Sequence, residues 1–339
     1  MKPVYHVSNP QFPEVLDSSI MATFKSCPQL FKKLYVEDWK SKELSVHLIA
    51  GGAFAKGMEV TRQAFHTGEY SFWKQVSIPV EGEPPKTEKV CEVKQGPIGD
   101  ADTSIALGIQ ALMVHYGDFQ CPADSAKSLE RTAGAFEFYW SQYPLTLDKA
   151  FGPVPITLPG GRRGIEVSFA HPLPILHPVT GNPLIYAGRC DSVDHFCDGI
   201  FTGDEKTTSS LGATWSRQWD LRSQFIGYNW GLHESGIEVS GTIVRGVSIL
   251  KTKYDTQQAI IPCASWQRDQ WYEELLDWIL DAVQCWRSNR WKHNLDHSCS
   301  EYGGCSFRLA CSSQEEDSWL STYFERRRWS PLTRVETKL

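Results

Sequence analysis

The chain has 339 residues, 41% of them hydrophobic, with 34 lysines and arginines against 40 aspartates and glutamates. Enough apolar surface is available to offset chain entropy, which excludes a disordered or collagen-like chain, and the length suits one elaborated domain or a domain with a subdomain. A net charge of −6 argues against gripping a polyanion by bulk charge, although a local basic groove survives such an average.

From Ser18 to about Trp39 apolar residues fall at helical spacing, among them Phe24, Leu30, Phe31, Leu34 and Tyr35, and the serines at the start suit a cap. Cys27-Pro28 interrupts this run and predicts a helix junction. A second helix is expected after Gly51-Gly52. Residues 77 to 102, rich in proline, glycine and charge, read as a surface excursion or linker around a short strand. Helical patterns resume at about 103–117 and 125–141. Alternating Ile165, Val167 and Phe169 then predict a strand with one buried face. Two apolar runs around Cys197-Asp198-Gly199 predict a hairpin, because Asp-Gly is a tight-turn signal. One helix is expected over 216–234, with Leu221, Gln224, Phe225, Tyr228 and Leu232 on a stripe. A strand at GTIVRGVSIL and a long helix over 265–290 follow. The order implies an α/β protein with a mixed central β-sheet flanked by helices. Residues 1–150 read as an N-terminal helical portion, 151–292 as the core, and 293–339 as a cysteine-rich segment folded back onto it.

No apolar run approaches the roughly 18 residues needed to span a bilayer, and the N-terminus lacks the apolar segment of a secretory signal. A cytoplasmic protein without membrane association is expected. Ten cysteines in such a compartment point to metal ligation or catalysis before disulfides. Cys91, Cys121, Cys190, Cys197, Cys263 and Cys285 are scattered and read as small buried residues. Cys299, Cys305 and Cys311 are spaced so that their thiolates can meet at one soft metal centre, with a fourth ligand from elsewhere. His293 and His297 are candidate zinc ligands nearby.

The hairpin carries Asp191 on its first strand and Asp204-Glu205-Lys206 on its second. Alternation points Asp204 and Lys206 to one face and Glu205 to the other. Two carboxylates and a lysine suit phosphodiester hydrolysis, in which acids hold a hard divalent cation and the ammonium orients water; a solvated Asp-Lys pair is the plainer reading. Gln224 and Tyr228, four apart on a helix, share a face that could meet a nucleic-acid strand or belong to the core. The tryptophans of the second half can stack on unpaired bases, but at helical spacing most belong to the core. Arg217, Arg222 and the run Arg326-Arg327-Arg328 are candidate phosphate contacts.

The succession GRCD (188–191), GDEKTT (203–208) and QFIGY (224–228) resembles the PD-(D/E)XK nucleases of the RecB-like branch. The resemblance spans roughly residues 18 to 312 and implies a restriction-endonuclease-like core. It implies Mg²⁺ or Mn²⁺ held by Asp191 and Asp204, with Lys206 as the catalytic lysine and Gln224 and Tyr228 toward DNA. Where the family shows a histidine four residues after a glycine, this chain has Lys56 after Gly52, so Glu59, or Glu166 on the preceding strand, is the candidate third metal ligand. Iron-sulfur members of that branch, among them CRISPR-associated exonucleases and recombination nucleases, carry one cysteine before the nuclease motifs and three after them. By that resemblance Cys27, Cys299, Cys305 and Cys311 would hold a [4Fe-4S] cluster, with zinc as the alternative, although five residues separate Cys299 from Cys305 where relatives commonly have two. The implied activity is a DNA exonuclease acting on single strands or ends in recombination or repair. No P-loop is present, so a helicase or recombinase partner, or an already open substrate, is expected. The alternatives are a cleavage-deficient DNA-binding protein of the same fold and a zinc-stabilised scaffold with no nucleic-acid role.

Overall fold

In the computed structural model, residues 12–80, 83–96, 98–295, 297–300, 304–329, 331 and 337–338 are described, without the side chains of 71–80, 83–91, 297 and 337–338. The chain enters along β1 (Val15–Leu16) and turns into α1 (Ser18–Ser26). The cap is not a serine. Asp17 Oδ1 accepts the Ile20 N–H at 2.7 Å, and a carboxylate here also meets the positive end of the helix dipole. Cys27 leaves helical geometry at φ −160°, and Pro28 opens α2 (Pro28–Phe31), where a missing N–H is harmless. A π-helical turn over Lys32–Val36 leads to β2 (Trp39–Ser41) and the long α3 (Val46–Thr67).

The expected linker over 77–102 is instead mostly a long ribbon of β3 (Glu69–Val80) and β4 (Glu83–Gln95), paired antiparallel as a separate two-stranded sheet. Both strands are edges, which is where prolines are tolerated, and Pro79 falls at the register shift between Ile78 and Val80. After α4 (Ala101–Tyr116) and α5 (Leu129–Gln142) come β5 (Val154–Pro155), β6 (Ile165–Leu176), β7 (Pro183–Phe196) and β8 (Gly199–Thr208). The β7–β8 hairpin turns where expected, with Cys197 at φ +50°. The single helix anticipated over 216–234 is broken into α6 (Ala213–Arg217) and α7 (Ser223–Glu234). The break places Trp219 edge-on to Trp215 and beside Phe225, while Leu221 is left 79% exposed instead of joining the stripe. The chain continues through β9 (Gly241–Ile249), β10 (Tyr254–Pro262) and α8 (Ser265–Ser288). It ends in α9 (His297–Ser300), α10 (Arg308–Ser312), α11 (Glu316–Tyr323), β11 (Phe324–Arg326) and β12 (Thr337–Lys338).

The central sheet runs β10-β9-β8-β7-β6-β12, with β1 and β5 also on β7. It is mixed: β8 with β9, β1 with β7 and β12 with β6 are parallel, and the other pairs antiparallel. The expected α/β architecture with flanking helices is therefore present. One core joins α1, α7 and α8 to the sheet through residues such as Ile20, Phe169, Tyr186, Trp230, Trp271 and Leu275. A second joins α3 and α5 to it through Phe54, Phe136, Tyr139, Val247 and Ile249. Every residue of β9 is buried, which explains a strand sequence without alternation: both its faces are covered.

Trp215, Trp219, Trp230 and Trp271 lie in the core as expected, whereas Trp266 and Trp278 are exposed. Among the scattered cysteines Cys190 is buried, Cys121, Cys263 and Cys285 are half-buried, and Cys197 is exposed, contrary to the reading as a buried residue; the side chain of Cys91 lies outside the described residues. Among the described residues, no helix is long and apolar enough to cross a membrane.

Candidate active site and cysteine clip

The sequence-predicted carboxylate–lysine group assembles where β7, β8 and the start of α7 meet. The β7–β8 ladder pairs Ser192 with Gly203, and the next residues along the two strands are Asp191 and Asp204. Asp191 Oδ2 accepts the Glu205 N–H at 3.3 Å, so this carboxylate crosses to the neighbouring strand. On β8, Lys206 Nζ stands 2.7 Å from Asp204 Oδ1. Asp204 is sealed, Asp191 is half-buried and the Lys206 side chain is 32% exposed, so the group has a covered floor and an open lip.

Burial pushes the Asp204 carboxyl up to about 7; Lys206 pulls it down and Asp191 pushes it further up. Burial, then the charge of Glu205, raises Asp191. Burial works against the Lys206 ammonium, but Asp204 and Asp191 outweigh it and raise its pKa. Two desolvated acids crowd one ammonium, an arrangement that a further cation would relieve.

Alternation places Glu205 on the opposite face, against α3 and α5, among residues that sequence reading missed. Arg62 on α3 forms a two-pronged ion pair with Glu205, one prong being Nη1 to Oε2 at 2.9 Å, and the Tyr139 hydroxyl donates to Glu205 Oε1 at 3.1 Å. Burial favours the neutral form of Glu205, but Arg62 and then Arg245 outweigh it and hold the carboxyl below its ordinary value. Beside them Ser192 donates to Asp194 Oδ2 at 2.5 Å, and burial raises Asp194 to about 6. Gly203 allows this approach, since a Cβ there would stand 2.2 Å from Ser192 Oγ. Nothing in the spacing of Arg62, Tyr139 and Arg245 announces their meeting: they come from three elements spread over some 180 residues.

Gln224 Nε2 donates to the Tyr228 hydroxyl at 2.7 Å, as the four-residue spacing on α7 allows. Tyr228 is buried in the core cluster and half-buried Gln224 lies nearer solvent. Burial and the nearby Asp204 charge raise the Tyr228 hydroxyl well above its ordinary value, which locates the pair beside the carboxylates. Glu59 pairs with Lys56 at 2.6 Å, and no described hydrogen bond or ion pair joins it to Asp191, Asp204 or Lys206. Glu166 is closer to the group. It lies on β6 between the ladder pairs Ile165–Ser192 and Val167–Cys190, where the skipped partner is Asp191; its φ is +51° and Arg189 Nη1 meets its Oε2 at 3.0 Å. A non-glycine residue in the left-handed region marks a local departure from strand geometry at this point. Arg217 and Arg222 are both exposed, and Arg222 is close enough to oppose the Lys206 charge.

The C-terminal segment folds back onto the N-terminal helices. β11 pairs antiparallel with β2, Phe324 against Ser41 and Arg326 against Trp39. Asn294 and Ser298 both donate to the Ser26 carbonyl, at 2.7 and 2.8 Å, and Gln29 N–H donates to the Lys292 carbonyl. Phe307, Ala310, Leu320 and Phe324 form a small core with Leu30, Leu34 and Trp39 packed on it. Of the arginine run, Arg326 lies 3.7 Å over the Trp39 ring, and all three arginines are exposed.

Within this clip the four predicted cysteines are electrostatic neighbours. Burial raises the thiols of Cys305 and Cys311, and Cys27 and Cys299 each push both further up. The Cys305 N–H donates to the Cys299 carbonyl and the Cys311 N–H to the Phe307 carbonyl. Among the described residues, no group of three or more His, Cys, Asp or Glu closes around a point that could hold a metal ion. By donor type alone, the thiols of half-buried Cys27, Cys299 and Cys305 and exposed Cys311 suit a soft metal, and the hard oxygens of Asp191 and Asp204 suit Mg²⁺ or Mn²⁺. His293 is exposed, and the side chain of His297 lies outside the described residues.

No protein-family model matches the chain, and no curated protein is similar to it. Among solved structures, the crystal structure of SSO0001 is similar at 15% identity, with a TM-score of 0.22, over 34% of this chain and 48% of that one. The match spans less than half of that protein's length and is too slight to bear on fold or activity.

Proposed function

We propose that the protein is a metal-dependent DNA nuclease of the PD-(D/E)XK type that hydrolyses phosphodiesters on single strands or DNA ends. The observation that supports this best is the meeting of Asp204 and Lys206 at 2.7 Å with Asp191 reaching across from the adjoining strand, at a lip open to solvent. Asp191 and Asp204 would hold Mg²⁺ or Mn²⁺, which when bound polarises a phosphoryl oxygen and acidifies water. Lys206 holds an attacking water or the developing charge, and its partial exposure lets it reach a substrate without leaving Asp204. The Gln224 amide, fixed by Tyr228, positions the strand, and exposed Arg217 and Arg222 contact its phosphates. Glu166 is the better candidate than Glu59 for a third oxygen ligand, since it neighbours Asp191 along the sheet.

In the same reading Cys27, Cys299, Cys305 and Cys311 hold a [4Fe-4S] cluster, or zinc, that fastens the two ends of the chain. A second reading, a DNA-binding protein of this fold without cleavage, is favoured by one observation: the position of the family histidine carries Lys56, tied to Glu59, and an ammonium cannot ligate a metal. Incubating labelled single-stranded DNA with protein and Mn²⁺ separates the two. Degradation that Asp204→Ala abolishes and Lys206→Ala slows by about a hundredfold or more supports the nuclease; retention of wild-type rates by folded variants refutes the site, and binding without degradation by metal-loaded protein favours the second reading.

A further inference from the structure

Lys127, in the loop that leads into α5, is 6% exposed, an unusual place for an ammonium. Its Nζ donates to the Thr207 hydroxyl at 3.3 Å, and among the described residues it has no carboxylate partner. Burial lowers its pKa, and no neighbouring charge restores it. Lys127 also stands directly before Ser128, the residue that caps α5, where the positive end of the helix dipole disfavours a further cation. Desolvation, the dipole and the missing counter-charge all act against this side chain, and one neutral hydroxyl offsets little of that. Arg62, buried on the same side of the sheet, has Glu205 as its counter-ion.

Thr207 follows Lys206 on β8, so alternation turns its side chain to the face that carries Glu205, against α3. A Cβ on Gly51 of α3 would stand 3.6 Å from Thr207 Oγ1, so the helix backs this hydroxyl on one side. The strand comes to the surface here: Thr207 is half-buried, and Ser209 and Ser210 are exposed. Because the Thr207 oxygen accepts from Lys127, its own proton is free to be donated elsewhere, and among the described residues nothing accepts it.

We propose that Thr207 and Lys127 form a phosphate-binding subsite for the substrate strand, one residue beyond Lys206 on β8. The Thr207 hydroxyl donates to a phosphate oxygen. Lys127 is a positioning residue behind it: its N–H turns the hydroxyl proton away from the protein, and its charge is the one the phosphate neutralises. The inference rests on the nuclease reading and deepens it, by giving the strand a second anchor beside the linkage that Asp191, Asp204 and Lys206 attack.

The test is binding of the full-length protein to labelled single-stranded oligonucleotides without divalent metal, so that no cleavage enters, over a range of salt. Lys127→Met and Thr207→Val should each weaken binding about tenfold, while Thr207→Ser, which keeps the hydroxyl, should stay within about threefold of wild type. Lys127→Met should also flatten the slope of log affinity against log salt by about 0.7, the value of one phosphate contact on a single strand. Without DNA, Lys127→Met should resist urea at least as well as wild type, because an apolar chain replaces an uncompensated buried charge. A larger loss on oligonucleotides ending in a phosphate than on those ending in a hydroxyl assigns the subsite to strand ends, and equal losses assign it to an internal phosphodiester. Wild-type affinity and salt slope in Lys127→Met overturn the subsite and leave the nuclease site intact. So does a Lys127→Met variant that is destabilised and keeps the wild-type slope, which makes the lysine structural. Failure of wild type to bind any strand overturns the subsite and the nuclease reading together.

Discussion

Replacing Arg62 with methionine removes the cation that holds the floor of the candidate site and leaves Glu205 buried. At 2.9 Å and an effective dielectric of about 20, the gross attraction is about 6 kcal/mol. Desolvation of two ions offsets most of that, so the pair as a whole is close to neutral, but removing one partner strands the other at a cost of about 3–5 kcal/mol. Arg245 also acts on Glu205, which puts the expected loss for Arg62→Met near the lower end, about 3 kcal/mol. Glu205→Gln alone strands Arg62 but keeps an acceptor for the Tyr139 hydroxyl, and should cost about 3 kcal/mol, the lower end of the same range. The double variant should lose clearly less than the sum, with a coupling of about 2 kcal/mol or more. Urea unfolding of the four proteins at neutral pH measures each term. The sign of the pH dependence follows from Glu205, whose carboxyl is held below its ordinary 4.5 in the folded protein. Its stabilisation is present above that value and is lost as pH falls through the lower folded value, so the gap between wild type and Arg62→Met should narrow in acid. Additive losses within about 0.5 kcal/mol, or a gap that widens in acid, would refute the reasoning.

Asp204→Ala should abolish DNA hydrolysis, and Lys206→Ala should slow it by about a hundredfold or more, with strand binding retained in a mobility-shift assay. In metal-free protein the raised Asp204 carboxyl stabilises the fold below its ordinary 3.8, and this is lost as pH rises through about 7. Added Mg²⁺ should therefore raise Tm more at pH 8 than at pH 6, and an equal shift at both would remove Asp204 from the metal. Cys305→Ser should reduce bound iron or zinc and lower Tm without changing the rate constant of the protein that remains folded; unchanged metal content takes Cys305 out of the centre.

Much of the architecture was legible because it is local. Cys27-Pro28 announces its helix junction, Asp-Gly its hairpin, and the alternation of Ile165, Val167 and Phe169 its buried face. The meeting of Asp191, Asp204 and Lys206 was legible because a hairpin brings neighbours in sequence together. What sequence reading missed has non-local causes. The β3–β4 ribbon reads as a linker because proline and charge are tolerated on strands with no neighbours to satisfy. The break between α6 and α7 comes from Trp215 and Trp219 turning into the core, which periodicity alone does not show. Arg62 and Tyr139 reach Glu205 only through the packing of α3 and α5 on the sheet, and Arg245 reaches it through the pairing of β8 with β9, while buried Lys33 pairs with Glu316, 283 residues away.

The pairing of β2 with β11, and of Ser26 with residues beyond 290, also sets a timetable. A ribosome working at about 5–20 residues per second needs roughly a quarter of a minute to a minute to pass from Cys27 to Cys299. During that interval the apolar side chains of Leu30, Leu34 and, on β2, Trp39 lack the C-terminal core that covers them. That early-made segment is thus exposed to sticking and premature oxidation, and a shielding chaperone or a delayed collapse around it would decide the yield of finished molecules.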